Sequence, residues 1–138
     1  MNTSIVAVGS NIDPEQHISR MLEILSREMH VLQVSDFRKT APIGMTGQPD
    51  FMNGAVRLET GMEMVAFRQY LKELEDRLGR DRTQPKYGPR CMDLDILIWN
   101  GKVVDDDYYS RDFLRQAARE LGFDPDRANL GAGQSDWS

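Results

Sequence analysis

Asp93 and Asp95 flank Leu94 in the stretch Gly88-Pro89-Arg90-Cys91-Met92-Asp93-Leu94-Asp95-Ile96-Leu97-Ile98-Trp99. On a strand, residues two apart share a face, so both carboxylates point one way and Leu94, Ile96 and Ile98 point the other. The two Cα atoms are then roughly 6.5 Å apart. At that spacing oxygen donors can converge on a hard cation such as Mg²⁺, which takes one or two carboxylates and completes its shell with water and phosphate. Uncompensated, two such charges repel. Arg77, Arg80, Arg82, Lys86 and Arg90 lie just upstream, and the planar guanidinium fork suits phosphate oxygens. Paired acids beside a basic run point to magnesium and a polyphosphate. Each feature also has a plainer reading: two solvated carboxylates on an open sheet face, and a charged loop neutralised by Glu73, Glu75 and Asp76.

Phe51 and Asn53 are also two apart at the start of a strand-like run. Together they offer a stacking ring and an amide that both donates and accepts to the edge of a heterocycle, or else a core phenylalanine beside a turn asparagine. Thr40 and the backbone around Ile43 would line the same pocket. The chain has no Gly-x-x-x-x-Gly-Lys-Ser/Thr segment, which excludes a P-loop. His17 and His30 are too few and too early for a histidine metal site or relay. Cys91 reads as a packing residue.

The elements that must position these groups follow from periodicity. Ser4 to Val8 is a short buried strand ended by Gly9-Ser10-Asn11. Asp13-Pro14 offers an N-cap and a proline at the first helical position. Ile18, Leu22, Leu25 and Met29 then form one helical face. Val31 to Phe37 reads as a strand and residues 39–50 as a long loop, of the kind that is usually functional. Phe51 to Glu59 is a strand, and Thr60 with Glu63 makes a capping box. Met64, Phe67, Leu71, Leu74 and Leu78 give the cleanest helical stripe, stopped by Gly79. A loop from Arg80 to Pro89 leads into the Asp93 to Trp99 strand. Asn100-Gly101 predicts a hairpin onto Lys102 to Val104, and Ser110 to Leu121 a last helix. The order predicts an α+β fold, a ferredoxin-like βαββαβ sandwich with an added C-terminal hairpin and helix. Residues 1–122 form a single domain in this reading, and 123–138 a disordered tail.

The length of 138 residues fits one domain with a real core. A net charge of −5 argues against nucleic acid and anionic membrane as partners, so an anionic ligand needs a local basic patch. One cysteine and no leader-like or long apolar segment predict a cytoplasmic protein. A monomer is the expected state.

The Gly88 to Leu97 stretch closely resembles the signature of the 6-hydroxymethyl-7,8-dihydropterin pyrophosphokinase family. Val8-Gly9-Ser10-Asn11, Thr40-Ala41-Pro42-Ile43-Gly44, Gln48-Pro49-Asp50-Phe51-Met52-Asn53, and Leu74-Glu75 with Gly79-Arg80 agree in order and spacing. The resemblance implies transfer of the pyrophosphoryl group of ATP to the hydroxymethyl oxygen of a reduced pterin, with release of AMP, in folate synthesis. It makes Asp93 and Asp95 ligands of two Mg²⁺ ions, Arg80 and Arg90 phosphate-contacting catalytic residues, and Glu75 part of the ATP pocket. Arg82 and Lys86 fall in a mobile ATP-binding loop. Phe51, as the stacking ring in place of the usual Tyr, Asn53, Thr40 and Ile43 form the pterin side. The chain departs from the family after the acid pair. Asp105-Asp106-Asp107-Tyr108-Tyr109-Ser110 replaces a Pro-His segment, the longer C-terminal portion has no counterpart, and Arg111-Asp112-Phe113 stands as a compressed Arg-x-Phe with Phe113 as second ring. Two other readings stay open: a pterin- or nucleotide-binding protein without turnover, and an RNA-binding sheet.

Overall fold

The computed structural model describes residues 1–85 and 87–125. It consists of β1 (Asn2–Ser10), α1 (Pro14–Glu28), β2 (His30–Val34), β3 (Arg38–Thr40), β4 (Phe51–Thr60), α2 (Met64–Arg77), β5 (Asp93–Trp99), β6 (Lys102–Val103), α3 (Asp107–Ser110) and α4 (Asp112–Glu120). The sheet runs β2-β4-β1-β5-β6, β3 also pairs β4, and every pairing is antiparallel. The architecture is therefore α+β with one antiparallel sheet. No helix among the described residues is long and apolar enough to cross a membrane.

Two apolar cores lie on opposite faces of the sheet. Val6, Val8, Val56, Leu58, Leu94 and Ile96 pack against Ile18, Met21 and Leu25 of α1 and Phe67, Leu71 and Leu74 of α2. On the other face Ile5, Ala55, Leu97 and Ile98 meet Tyr108, Leu114, Ala117, Ala118 and Leu121. The last helical segment thus forms a second helical layer, on the face opposite α1 and α2.

Strict alternation along β5 fails at one place. Ile96 pairs with Val6 and Ile98 with Ile5, leaving Leu97 as an extra residue. This bulge shifts the side-chain phase. Ile98, expected beside Leu94 and Ile96, lies instead in the core under α4, while Trp99 packs on the α1 and α2 side.

Three other local expectations need correcting. The strand predicted over Val31 to Phe37 breaks after Val34, where the Ser35 N–H donates to the Ala55 carbonyl at 2.9 Å and the Ser35 hydroxyl, in place of its carbonyl, accepts the Ala55 N–H at 2.8 Å. The break turns the Phe37 ring over Gly54, where a Cβ would stand 2.7 Å from it. The Thr60 and Glu63 capping box is absent, because Thr60 ends β4 and its hydroxyl accepts the Met62 N–H instead. The helix predicted from Ser110 divides at Arg111, which is extended.

Gly79 (φ +94°) reverses the chain after α2, and the Gly79 and Arg80 N–H groups return to the Asp76 and Glu75 carbonyls at 3.0 Å each. That Schellman turn sets Arg80 back over the helix end. Gly122 (φ +89°) does the same for α4, with the Phe123 N–H on the Ala118 carbonyl at 3.0 Å. Phe123 is buried, so the packed region extends past the boundary drawn at residue 122. Of the tail predicted to be disordered, residues 126–138 lie outside the described residues. Asn100 and Gly101 both have positive φ, 49° and 82°, as a type I′ hairpin requires.

Candidate active site

A cavity of about 450 Å³ opens on the α4 face of the sheet, where β1 ends and β4 and β5 begin. Its floor is two cross-strand rows, Asn53–Gly9–Asp93 and Ala55–Ala7–Asp95. The small residues of β1 therefore hold the polar side chains of β4 and β5 apart, with open space between. A Cβ at Gly9 would approach Asn53 Oδ1 to 2.8 Å, so any side chain there would displace the Asn53 amide.

One half of the cavity is neutral. Asn53 donates through Nδ2 to the Thr40 hydroxyl, which fixes the amide orientation. Phe51 lies at the start of β4, Ile43 comes from the loop after β3, and Phe113 enters from the first turn of α4. The C-terminal end of α4 is tied to the sheet. Glu120 pairs with Arg38 at 2.7 Å and accepts the Asp36 N–H at 3.0 Å, and Arg57 donates to the Leu121 carbonyl at 3.1 Å. That anchoring holds Phe113 and Arg111 over the cavity at the opposite end of the helix.

The other half is charged. The Asp93 and Asp95 side chains are 40% and 44% exposed and line the cavity together. Arg80 reaches Asp93 at 3.3 Å and Lys72 reaches Asp95 at 3.2 Å. Beneath them Glu75 is fully buried, accepting from Arg80 at 3.0 Å, Arg82 at 3.2 Å, Lys72 at 3.2 Å and the Leu94 N–H at 2.6 Å. Expected against a nucleotide, Glu75 sits behind the wall and organises the cations that form it. Arg82 stands outside the lining, held by Asp76 and Glu75. The Arg80 Nε is buried without a hydrogen-bond partner among the described residues. Lys86 lies outside the described residues.

Two loops wall the charged half, and a buried asparagine ties them together. Asn11 donates to Gln48 at 2.8 Å and to the Pro49 carbonyl at 3.1 Å, while its Oδ1 accepts the Arg90 N–H at 2.8 Å. Gln48 in turn donates to the Tyr87 carbonyl at 2.7 Å. The Arg90 guanidinium, bonded to the Pro85 and Gly88 carbonyls, is thereby presented to the cavity.

Desolvation, then the neighbouring charges of Asp95 and Glu75, push the Asp93 carboxyl up to about 6, although Arg80 and Lys72 pull the other way. The ionised pair is thus under-compensated, and its donors are hard oxygens, so a divalent cation fits it. Among the described residues no group of three or more His, Cys, Asp or Glu side chains could hold an ion by itself. The remaining ligands would come from phosphate and water, as magnesium prefers.

The raised Asp93 value has a stability consequence. The folded chain keeps this proton up to about pH 6, whereas an ordinary aspartate releases it near 3.8. Protonation therefore supports the fold at acid pH, and that support is lost as the pH rises from about 4 to about 6. Asp93→Asn should stabilise the metal-free protein at pH 7.5 by up to about 1 kcal/mol, a value reduced for solvent screening of an exposed side chain. At pH 4 it should change nothing. Urea unfolding in EDTA at the two pH values checks both; equal midpoint shifts would refute the assignment.

Lys72, Asn11 as the loop tie, and Asp105 before α3 and Asp107 at its start as acids of the cavity wall were not singled out as site residues in the sequence. Lys72 had one available signal: it precedes Glu75 by three residues, so the two share a helix face.

The sequence profile of the 7,8-dihydro-6-hydroxymethylpterin-pyrophosphokinase family matches residues 5–122. The 2-amino-4-hydroxy-6-hydroxymethyldihydropteridine pyrophosphokinase of Haemophilus influenzae is 28% identical over 135 residues, covering 90% of this chain and 84% of that protein. Proteins of the same name from Bacillus subtilis and Pseudomonas aeruginosa are 33% identical over 107 residues and 34% over 103. They align with 75% and 72% of this chain, which spans 64% and 63% of their own lengths. With most of its residues inside the matched region, the chain belongs to the 7,8-dihydro-6-hydroxymethylpterin-pyrophosphokinase family.

Proposed function

We propose that the protein is an ATP-dependent diphosphotransferase that moves the pyrophosphoryl group of ATP to the hydroxymethyl oxygen of 6-hydroxymethyl-7,8-dihydropterin, releasing AMP, in folate synthesis. Family membership and the names of the relatives support this reading. The observation that carries it is the division of one cavity into a neutral slot and a charged half. Phe51 and Phe113 offer rings to a flat heterocycle, and the Asn53 amide, oriented by Thr40, meets its edge beside Ile43. Arg80 and Arg90 face the phosphates, with Glu75 holding Arg80 in place and Arg82 and Lys86 contributing from the loop. Asp93 and Asp95 would hold two Mg²⁺ ions, which supply charge neutralisation across the phosphate oxygens.

In this reading the chain's own residues work by position and electrostatics. The slot fixes the pterin hydroxymethyl group, the arginines orient the polyphosphate, and preorganised positive charge stabilises the negative charge of the transition state. The order β2-β4-β1-β5, with α1 and α2 on one face, supports the finer description of residues 1–122 as a ferredoxin-like βαββαβ domain carrying a C-terminal hairpin and helix. The single buried Cys91 supports a cytoplasmic setting.

The deciding experiment is identification of the nucleotide product with the reduced pterin, ATP and saturating magnesium. AMP is expected; ADP, or no turnover, would overturn the assignment. Calorimetry on the same sample would then separate a binding protein from an unrelated one. Gly9→Ala should raise the pterin KM roughly tenfold by displacing the Asn53 amide, leaving the ATP KM near its original value. An equal rise in both constants would contradict that separation.

A further inference from the structure

Lys72 belongs to no motif, yet its ammonium stands at the centre of the charged half of the cavity. It is 3.2 Å from Asp95 Oδ1, 3.2 Å from Glu75 Oε2 and 2.9 Å from the Leu94 carbonyl oxygen. Its two acidic partners depend on it unequally. Glu75 also accepts from Arg80, Arg82 and the Leu94 N–H. Asp95 has no other cation within 4.0 Å among the described residues. Burial alone would lower the Lys72 pKa, but Asp95 and then Glu75 outweigh it and raise the value, so the group stays charged. Its side chain is 37% exposed, and it lines the cavity at the tip of a flexible four-carbon stem. The ammonium can therefore leave Asp95 by rotation of its own side chain, with α2 unmoved.

We infer that Lys72 is a displaceable counter-ion: it neutralises Asp95 in the ligand-free cavity and yields that carboxylate to a divalent cation when a polyphosphate offers its charge another partner. The inference rests on the proposed activity, because it names magnesium and ATP as the species exchanged. Without nucleotide a metal ion must expel the ammonium into water. With nucleotide the released charge meets phosphate oxygens, so the two ligands reinforce each other through one side chain. Two unit charges 3.2 Å apart interact strongly enough, even with the dielectric constant of water, to change a binding constant about tenfold.

The test is titration with Mn²⁺, followed by its electron paramagnetic resonance signal, in the absence and presence of a non-hydrolysable ATP analogue. Lys72→Met should tighten binding of the metal alone about tenfold and weaken the reinforcement by nucleotide. Lys72→Arg, which keeps the charge, should stay near the original protein. In an Asp95→Asn background Lys72→Met should have no effect. Lys72→Gln retains a donor for Glu75 and the Leu94 carbonyl, and it serves if the methionine variant does not fold. Unchanged Mn²⁺ affinity in a folded charge-removing variant, or an equal change in the Asp95→Asn background, would overturn the inference and leave Lys72 as a partner of buried Glu75 alone. Because the readout is metal binding, failure of the AMP assay would sink the proposed function without deciding this result.

Discussion

Asp95→Ala should lower pyrophosphoryl transfer by about a thousandfold or more while leaving the fold in place. The loss expected for removing a preorganised charge-handling group is about 4 kcal/mol of transition-state stabilisation. The structural cost is small, because the Asp95 side chain is 44% exposed and its partner Lys72 is 37% exposed. Such pairs contribute less than about 1 kcal/mol. The two effects are separable: circular dichroism and the urea midpoint should barely move, while single-turnover AMP release collapses. A variant that retains ordinary turnover would remove Asp95 from the metal and phosphate chemistry altogether. The accompanying change in pterin affinity should be slight, since the neutral slot is built from β4 and α4, and ring binding can be followed by fluorescence.

Glu75→Ala should have the largest effect on stability, about 3 kcal/mol, together with a fall in activity. The Glu75 carboxylate is fully buried and satisfies three cations and the Leu94 N–H. Truncating one member of such a buried cluster leaves charge uncompensated and a backbone donor unfilled. Lys72 and Arg80 keep Asp95 and Asp93 as partners, which limits the loss to the lower end of the range for broken buried pairs. Equilibrium urea unfolding measures the change, with an unaltered slope showing that the same surface is exposed on unfolding. A midpoint within error of the original would mean that Glu75 is not the organiser of the wall. Glu75→Gln, which keeps an acceptor for Leu94, should recover part of the stability and little of the arginine positioning.

Much of this site was legible because its signals are local. The alternation of Asp93 and Asp95 about Leu94, the α2 stripe ending at Gly79, and the Asn100-Gly101 turn each depend on a few neighbouring residues. What escaped depends on contacts between distant segments. Nothing in Ile96-Leu97-Ile98 has a period that would reveal a bulge, because all three residues are equally at home in either core. The side on which Glu75 is buried follows from β5 lying against α2, and that proximity joins residues about 19 apart. Lys72 sits on a helix face where a lysine normally reads as solvated. The division between α3 and α4 at Arg111 arises as Tyr108 and Leu114 both enter the core under the sheet, which a single straight helix cannot achieve from that chain entry. The Asn11 tie is likewise non-local: its partners lie 37, 38 and 79 residues away.

The extra residue at Leu97 makes β5 two strands in effect, with the phase of one independent of the other. On the side-chain face that carries Asp93 and Asp95, the surface changes at that point from a polar recess to an apolar bed for α4. Deleting Leu97 would restore simple alternation with Ile98 still in the core under α4 and Trp99 still on the α1 and α2 side, and the acids upstream would keep their aim. Substitutions that retune the recess and substitutions that repack α4 should therefore combine with little interference, so that the chain can vary its ligand chemistry and its packing along separate routes.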